Sequence, residues 1–333
     1  MFKKLLFSIS LLLFLAVQGC AVNHYLPNVS ESVDTVFNPM HSNQWIGNGI
    51  SYSPYRDGES PETNSLTSKE DILEDLNLIA KNWNLIRLYG SDELSERVLQ
   101  VIKEHNLPIK VMQGAWISGL QTTLENDKQV VDAVRLANQY KDIVVAVNVG
   151  NEILVDWSAH KLTDLDTVID YIRFVKKSIQ QPVTENDDYN FWNKPQAVKI
   201  ADEVDFIGLH FYAFWNNKTI DESLAWSKNT FADIQQRFPK KQLVIGETGW
   251  PTSRIYNDGS YEGVLIGKAN IASLKRFFTE YNEWINKEQI ASFYFEAFDE
   301  KWKGGFDGLN AMDKAEKHWG VYFSNRQPKI ELN

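Results

Sequence analysis

Short apolar runs alternate with helical patterns from residue 45 to the C-terminus of this 333-residue chain. The candidate strands cover residues 46–52, 85–89, 109–113, 144–149, 182–185, 206–210, 243–246 and 293–295. Between them lie amphipathic stretches. In residues 69–82 the apolar positions Ile72, Leu76, Ile79 and Trp83 recur at helical spacing, behind Ser68 and Asp71 as a cap pair. Val168, Ile172, Val175 and Ile179 repeat the pattern in residues 164–180 behind Thr163, and longer patterns fill 220–238 and 262–286. Strands alternating with helices make a parallel sheet covered by helices. Their count and the chain length favour a closed (β/α)8 TIM barrel over an open doubly wound sheet. Residues 182–185 give a weak strand signal, and 311–333 hold little periodicity, so the final helix is expected to be reduced. No linker, repeat or low-complexity segment divides residues 41–333, which read as a single domain.

The N-terminus departs from this alternation. Lys3 and Lys4 precede an unbroken run of apolar and small residues over 5–17. A bilayer core of about 30 Å takes roughly 20 apolar residues to span, so the run reads as a secretion signal. It ends Val17-Gln18-Gly19-Cys20, which resembles a bacterial lipobox. That resemblance implies a signal peptide over residues 1–19, lipidation of Cys20 and a lipidated tether over 20–40; the plainer reading is an ordinary cleaved signal. Cys20 is the only cysteine, so the mature body would carry no disulfide. Ala21 in place of Asp suggests outer-membrane sorting. The expectation is an exported bacterial lipoprotein, held at a membrane by acyl chains with a soluble body.

Composition narrows the chemistry. A formal net charge of -10 leaves no basic stripe for phosphates, which argues against nucleic acid and is neutral about sugars. The 11 Trp carry more, since flat aromatic faces pack against pyranose rings, although most tryptophans fill cores. Trp116, Trp157, Trp192, Trp215, Trp250 and Trp302 follow strands and could face a cleft, Trp116 and Trp215 first among them. Trp45, Trp83, Trp226, Trp284 and Trp319 read as packing. Dinucleotide, P-loop and nucleophile-elbow glycine motifs are absent, and the six His lack metal-ligand spacing. No metal or other cofactor is expected, and a monomer is.

Two glutamates stand out against that background. Glu152 closes the run IVVAVNVGNE, and Glu247 lies in LVIGETGW. A (β/α)8 barrel presents its catalytic groups at the C-terminal ends of strands. Two carboxylates from different strands are what glycoside hydrolysis uses.

The segments around them extend the pattern. VNVGNE at 147–152, IGETGWPT at 245–252, IRLYG at 86–90 and FEAFDEKWK at 295–303 resemble glycoside hydrolase family 17. GISYSPYR at 49–56 and HWGVYFSNRQPK at 318–329 are similar to its bacterial and fungal branch; Lys301 departs from it, where relatives commonly carry proline. The resemblance implies a barrel acting on β-1,3-linked glucans with retention of configuration, Glu152 as acid/base and Glu247 as nucleophile. It places Arg87 and Tyr212 beside the nucleophile, Asn151 at the sugar 2-OH, and Glu296, Glu300 and Lys303 along the sugar nearest the cut. Tyr52, Tyr89, His210 and Trp250, in the same motifs or at strand ends, complete the expected substrate-binding set. Arg87 could instead bridge a structural carboxylate, and Glu296, Glu300 and Lys303 could be a solvated charge cluster. The function expected is an endo-β-1,3-glucanase on laminarin-type polysaccharide. The alternatives are a β-1,3-glucanosyltransferase using the same glutamates and, from another class, a catalytically silent glycan-binding lipoprotein.

Overall fold

A computed structural model describes residues 35–63, 65–254, 265–304 and 314–332. The expected signal peptide, Cys20 and most of the expected tether lie outside these residues. Eight parallel strands close into a barrel: β1 Asn48–Ser51, β2 Leu85–Arg87, β3 Lys110–Ala115, β4 Val144–Asn151, β5 Val183–Asp188, β6 Phe206–His210, β7 Gln242–Thr248 and β8 Ser292–Tyr294. The helices between them are α1 Lys69–Ile79, α2 Glu93–Glu104, α3 Thr123–Gln139, α4 Leu165–Ser178, the short α5 Tyr189–Trp192 and α6 Ala197–Glu203, α7 Ile220–Arg237 and α8 Ile271–Glu288. All eight expected strands are present. Beyond β8, among the described residues, only a 3-10 turn at Ala315–Lys317 follows, in keeping with a reduced final helix. Among the described residues no helix is long and apolar enough to cross a membrane.

Side chains entering the barrel are apolar at its base and polar at its mouth. Leu85, Met112, Ala146, Phe206, Val244 and Phe293 form the base. Phe37 plugs it, stacked 5.0 Å from Phe206, while the Gln242 amide pairs with the Phe37 backbone at 2.9 and 2.8 Å. The chain therefore joins the barrel earlier than the expected boundary at residue 41. Thr35 is already tied to Asp205, and Met40–His41 pairs with Gln44–Trp45.

Helix starts follow local hydrogen bonding. Ser68 accepts the Asp71 N–H at the head of α1, as its sequence implies. Asp164, not Thr163, caps α4. Asn270 caps α8, so that helix begins at Ile271 rather than 262.

A buried ion pair closes α1 against the C-terminal segment. Asp75 accepts two bonds of 2.8 Å from Arg326, one of 2.9 Å from Arg56 and one of 3.1 Å from the Tyr52 hydroxyl. Removing one partner of a buried pair strands the other charge, so Asp75→Ala should cost about 3–5 kcal/mol. Urea unfolding would read the loss; an unchanged midpoint would contradict it.

Candidate active site

Glu152 and Glu247 meet at the barrel mouth, with one carboxylate oxygen of each and a His210 nitrogen all within 4.8 Å of one another. Glycine makes both presentations possible. Gly150 turns the end of β4 with φ +93, where a Cβ would strike Ile153, and Glu152 follows at φ +52. At Gly246 a Cβ would lie 2.8 Å from the His210 ring, so only glycine lets that imidazole cross β7 beside Glu247.

The surroundings of the two carboxylates differ. Glu247 accepts 2.6 Å from Arg87 and 2.9 Å from the Tyr89 hydroxyl on one oxygen, and 2.7 Å from the Tyr212 hydroxyl on the other. Burial opposes its ionisation, but His210, Arg87, Tyr212 and Tyr89 outweigh burial and hold its pKa down at about 2. Among the described residues the Glu152 side chain hydrogen-bonds only the His210 Nδ1, at 3.1 Å. Burial, then the charges of Glu247, Asp188 and Glu316, push its pKa well above the usual carboxylate range. His210 is driven by burial to about 4, so its ring is neutral near pH 7 and Nδ1 shares a hydrogen bond with Glu152. The two surroundings pull the acids apart, Glu247 toward its ionised form and Glu152 toward its protonated form.

Arg87 is fully buried in the lumen and organises the floor. It donates to the Gly246 carbonyl at 3.1 Å and to the Asn151 side-chain oxygen at 2.5 Å. Turned to satisfy both ends of its amide, Asn186 accepts from Arg87 Nε and Nη2 at 3.2 Å. Tyr89 lies under the guanidinium, 4.6 Å from ring centroid to Cζ. Lys303 bridges Glu296 at 2.6 Å and Glu300 at 2.5 Å. Lys303 lies 4.3 Å over the Phe295 ring, which packs 5.9 Å from Tyr212, so this triad sits beside the Glu247 cradle. Trp116 is half-buried and packs 5.0 Å from His160, whose Nε2 lies 2.8 Å from the Asn151 carbonyl oxygen. Trp215 is half-buried against Trp319, which in turn packs 5.0 Å from Tyr212.

Two expected sugar contacts lie elsewhere. Tyr52 points out of the lumen, one residue past the inward Ser51, with its hydroxyl on Asp75 of α1 and its ring against Phe298. Trp250 is fully buried, packed on Phe214 and Phe277 with its N–H on the Lys268 carbonyl, and has no face to offer a sugar. Trp192 is buried the same way, its N–H on Gly208 and Asp187 carbonyls, whereas Trp157 stands exposed and Trp302 half-buried.

Sequence reasoning set the polar run Thr184-Glu185-Asn186-Asp187 apart from the family pattern but gave it, and Asp188 after it, no role in the site. All five residues are buried in β5 beneath Glu152. A polar run occupying a strand position between apolar strands was the available signal. Glu152, His210 and Glu247 are also the one donor cluster of metal-binding type among the described residues. Arg87 already supplies a cation to Glu247 and His210 turns Nδ1 to Glu152, so the cluster is arranged for proton transfer rather than for an open coordination shell.

Known proteins share this framework. The chain is 29% identical over 281 residues to a probable glucan endo-1,3-beta-glucosidase of Aspergillus clavatus, covering 80% of this chain and 39% of that protein. It thus spans less than half the length of that relative. It is 27% identical to a glucan 1,3-beta-glucosidase of Schizosaccharomyces pombe, over 79% of this chain and 81% of that one. Among solved structures, an endo-laminarinase from Formosa superposes with a TM-score of 0.73 at 22% identity, covering 86% of each chain. A Rhizomucor miehei beta-1,3-glucanosyltransferase bound to laminaritriose follows with 0.68 at 21%, over 86% of this chain and 97% of that one. Those two likenesses establish the fold. The BtgE/BtgC glycoside hydrolase domain matches residues 49–320, so the chain belongs to that glycoside hydrolase family.

Proposed function

We propose that the chain is a retaining endo-β-1,3-glucanase of glycoside hydrolase family 17, cutting laminarin-type glucan by double displacement. The observation that carries this reading is the pair of glutamates with carboxylate oxygens within 4.8 Å, one cradled by Arg87, Tyr89 and Tyr212 and the other facing His210. Retaining enzymes hold their carboxyls about 5–5.5 Å apart, whereas inverting ones leave room for a water at about 6.5–9.5 Å. Glu247 attacks the anomeric carbon as Glu152 protonates the departing glycosidic oxygen; one C–O bond forms and one breaks. Water then attacks the glycosyl-enzyme, Glu152 takes its proton, and Glu247 leaves. Asn151, its oxygen fixed by Arg87, keeps its amide N–H groups for the sugar 2-OH.

The relatives' names point to the same bond. Incubation with laminari-oligosaccharides tests the proposal through proton NMR of the first product formed. A β-anomer is expected; an initial α-anomer, or no cleavage, would sink it. Product lengths separate the alternative. Products only shorter than the substrate mean hydrolysis, and longer ones mean a second glucan, not water, intercepts the glycosyl-enzyme.

A further inference from the structure

Behind the acid, β5 buries two carboxyls that this chemistry leaves idle. Glu185 and Asp187 stand two residues apart, so they share the strand face turned away from Asn186, and both are fully buried. Asp187 accepts the Leu154 N–H at 2.7 Å on one oxygen and the Asp188 N–H at 2.8 Å on the other. Both Glu185 carboxyl oxygens are buried with no donor among the described residues, and Asp187 is the strongest charge acting on them. Two carboxyls touch in a dry site only with a proton between them. Asp187, with two N–H donors, is the better placed of the two to carry a negative charge, and Glu185 to carry the proton. Burial, followed by each acid's charged neighbours, raises both of their pKa values, which accords with one shared proton.

What Asp187 holds is the turn that carries Glu152. The β4–β5 ladder shifts register between Asn148 and Asn151, just where β4 leaves the barrel. Glu152 then takes a left-handed conformation that L residues seldom adopt. Two bonds to β5 secure it: the Glu152 N–H to the Asn186 carbonyl at 2.8 Å, and the Leu154 N–H to the Asp187 carboxylate. The second replaces a ladder rung with a side chain. We propose that the Glu185–Asp187 pair is the positioning device of the general acid: Asp187, hydrogen-bonded by Glu185, fixes the turn that aims Glu152 at the scissile bond. The inference rests on the glycosidase reading above. The charges facing Glu152 are Glu247 from β7, Asp188 from β5 and Glu316 from the C-terminal rim, set against Arg87 from β2 and the neutral His210 from β6.

Two substrates separate aim from architecture. A laminari-oligosaccharide needs Glu152 to protonate its leaving alcohol, while a dinitrophenyl β-laminaribioside has a leaving group that departs unaided. Asp187→Asn should lower oligosaccharide turnover by about 100-fold while sparing formation of the glycosyl-enzyme from the aryl glycoside. Glu185→Gln, whose amide still donates, should match the wild type on both substrates. Equal loss on both substrates in Asp187→Asn marks a purely structural role and overturns the inference, as does Glu185→Gln falling as far as Asp187→Asn. Should Asp187→Asn not fold, Glu185→Leu carries the same comparison, with selective loss supporting the inference and equal loss ending it. A wild type inactive on both substrates removes the glycosidase reading itself and the inference with it.

Discussion

Glu247→Ala is expected to lower turnover of laminari-oligosaccharides by about 10⁵-fold, the scale on which deletion of a covalent nucleophile acts. Among the described residues no other carboxylate is placed to replace it. Arg87, Tyr89 and Tyr212 converge on its two oxygens and leave no second carboxylate in their cradle, while the Glu152 side chain hydrogen-bonds only His210 among those residues. Circular dichroism should confirm an intact fold, and Glu247→Gln, which keeps the shape, should fail equally. The same variant offers a positive test of role. An α-laminaribiosyl fluoride mimics the configuration of the glycosyl-enzyme, so Glu247→Ala should join it to an acceptor sugar. The C–F bond breaks, a C–O bond forms, fluoride leaves, and Glu152 takes the acceptor's hydroxyl proton. Longer oligosaccharides made by the alanine variant would confirm Glu247 as nucleophile. Near-normal hydrolysis by that variant would end the assignment.

The two glutamates were legible in the sequence because each ends an apolar run, and an apolar run between amphipathic stretches is the signature of a strand buried on both faces. That same burial hid other things. When both faces of a strand are covered, alternation does not reveal which face looks inward, so Tyr52 and Trp250 read as cleft residues although they point elsewhere. Ser51, one position before Tyr52, is the residue that enters the lumen near Tyr89. The fifth strand was nearly lost for the opposite reason. Its residues Thr184 to Asp188 are polar yet buried, and hydropathy scores buried carboxylates as it would a loop. Strain of that kind inside a barrel marks a site, where local rules yield to function. His210 had no signature as the imidazole between the two acids, because its place depends on the irregular pairing of β6 with β7 and on the missing side chain at Gly246.

Glu152→Ala should cost about 10²- to 10⁴-fold on oligosaccharides, the usual worth of a general acid or base. The loss should depend on the leaving group. A sugar alkoxide cannot depart without a proton, so the first step slows on natural glucan. A dinitrophenolate needs none, so that substrate should still load Glu247 and then stall, since no base activates water. Azide requires no base, and adding it should restore turnover and yield a β-glycosyl azide, the configuration left by two successive inversions at the anomeric carbon. The pH dependence carries the same signature. The active form pairs ionised Glu247 with protonated Glu152; acid should abolish activity as pH falls toward the Glu247 value of about 2, and alkali should abolish it as the raised Glu152 group ionises. In Glu152→Ala the alkaline limb should vanish on the aryl substrate while the acid limb stays. An alkaline limb that persists there unchanged would assign the proton to another group and remove Glu152 from its role.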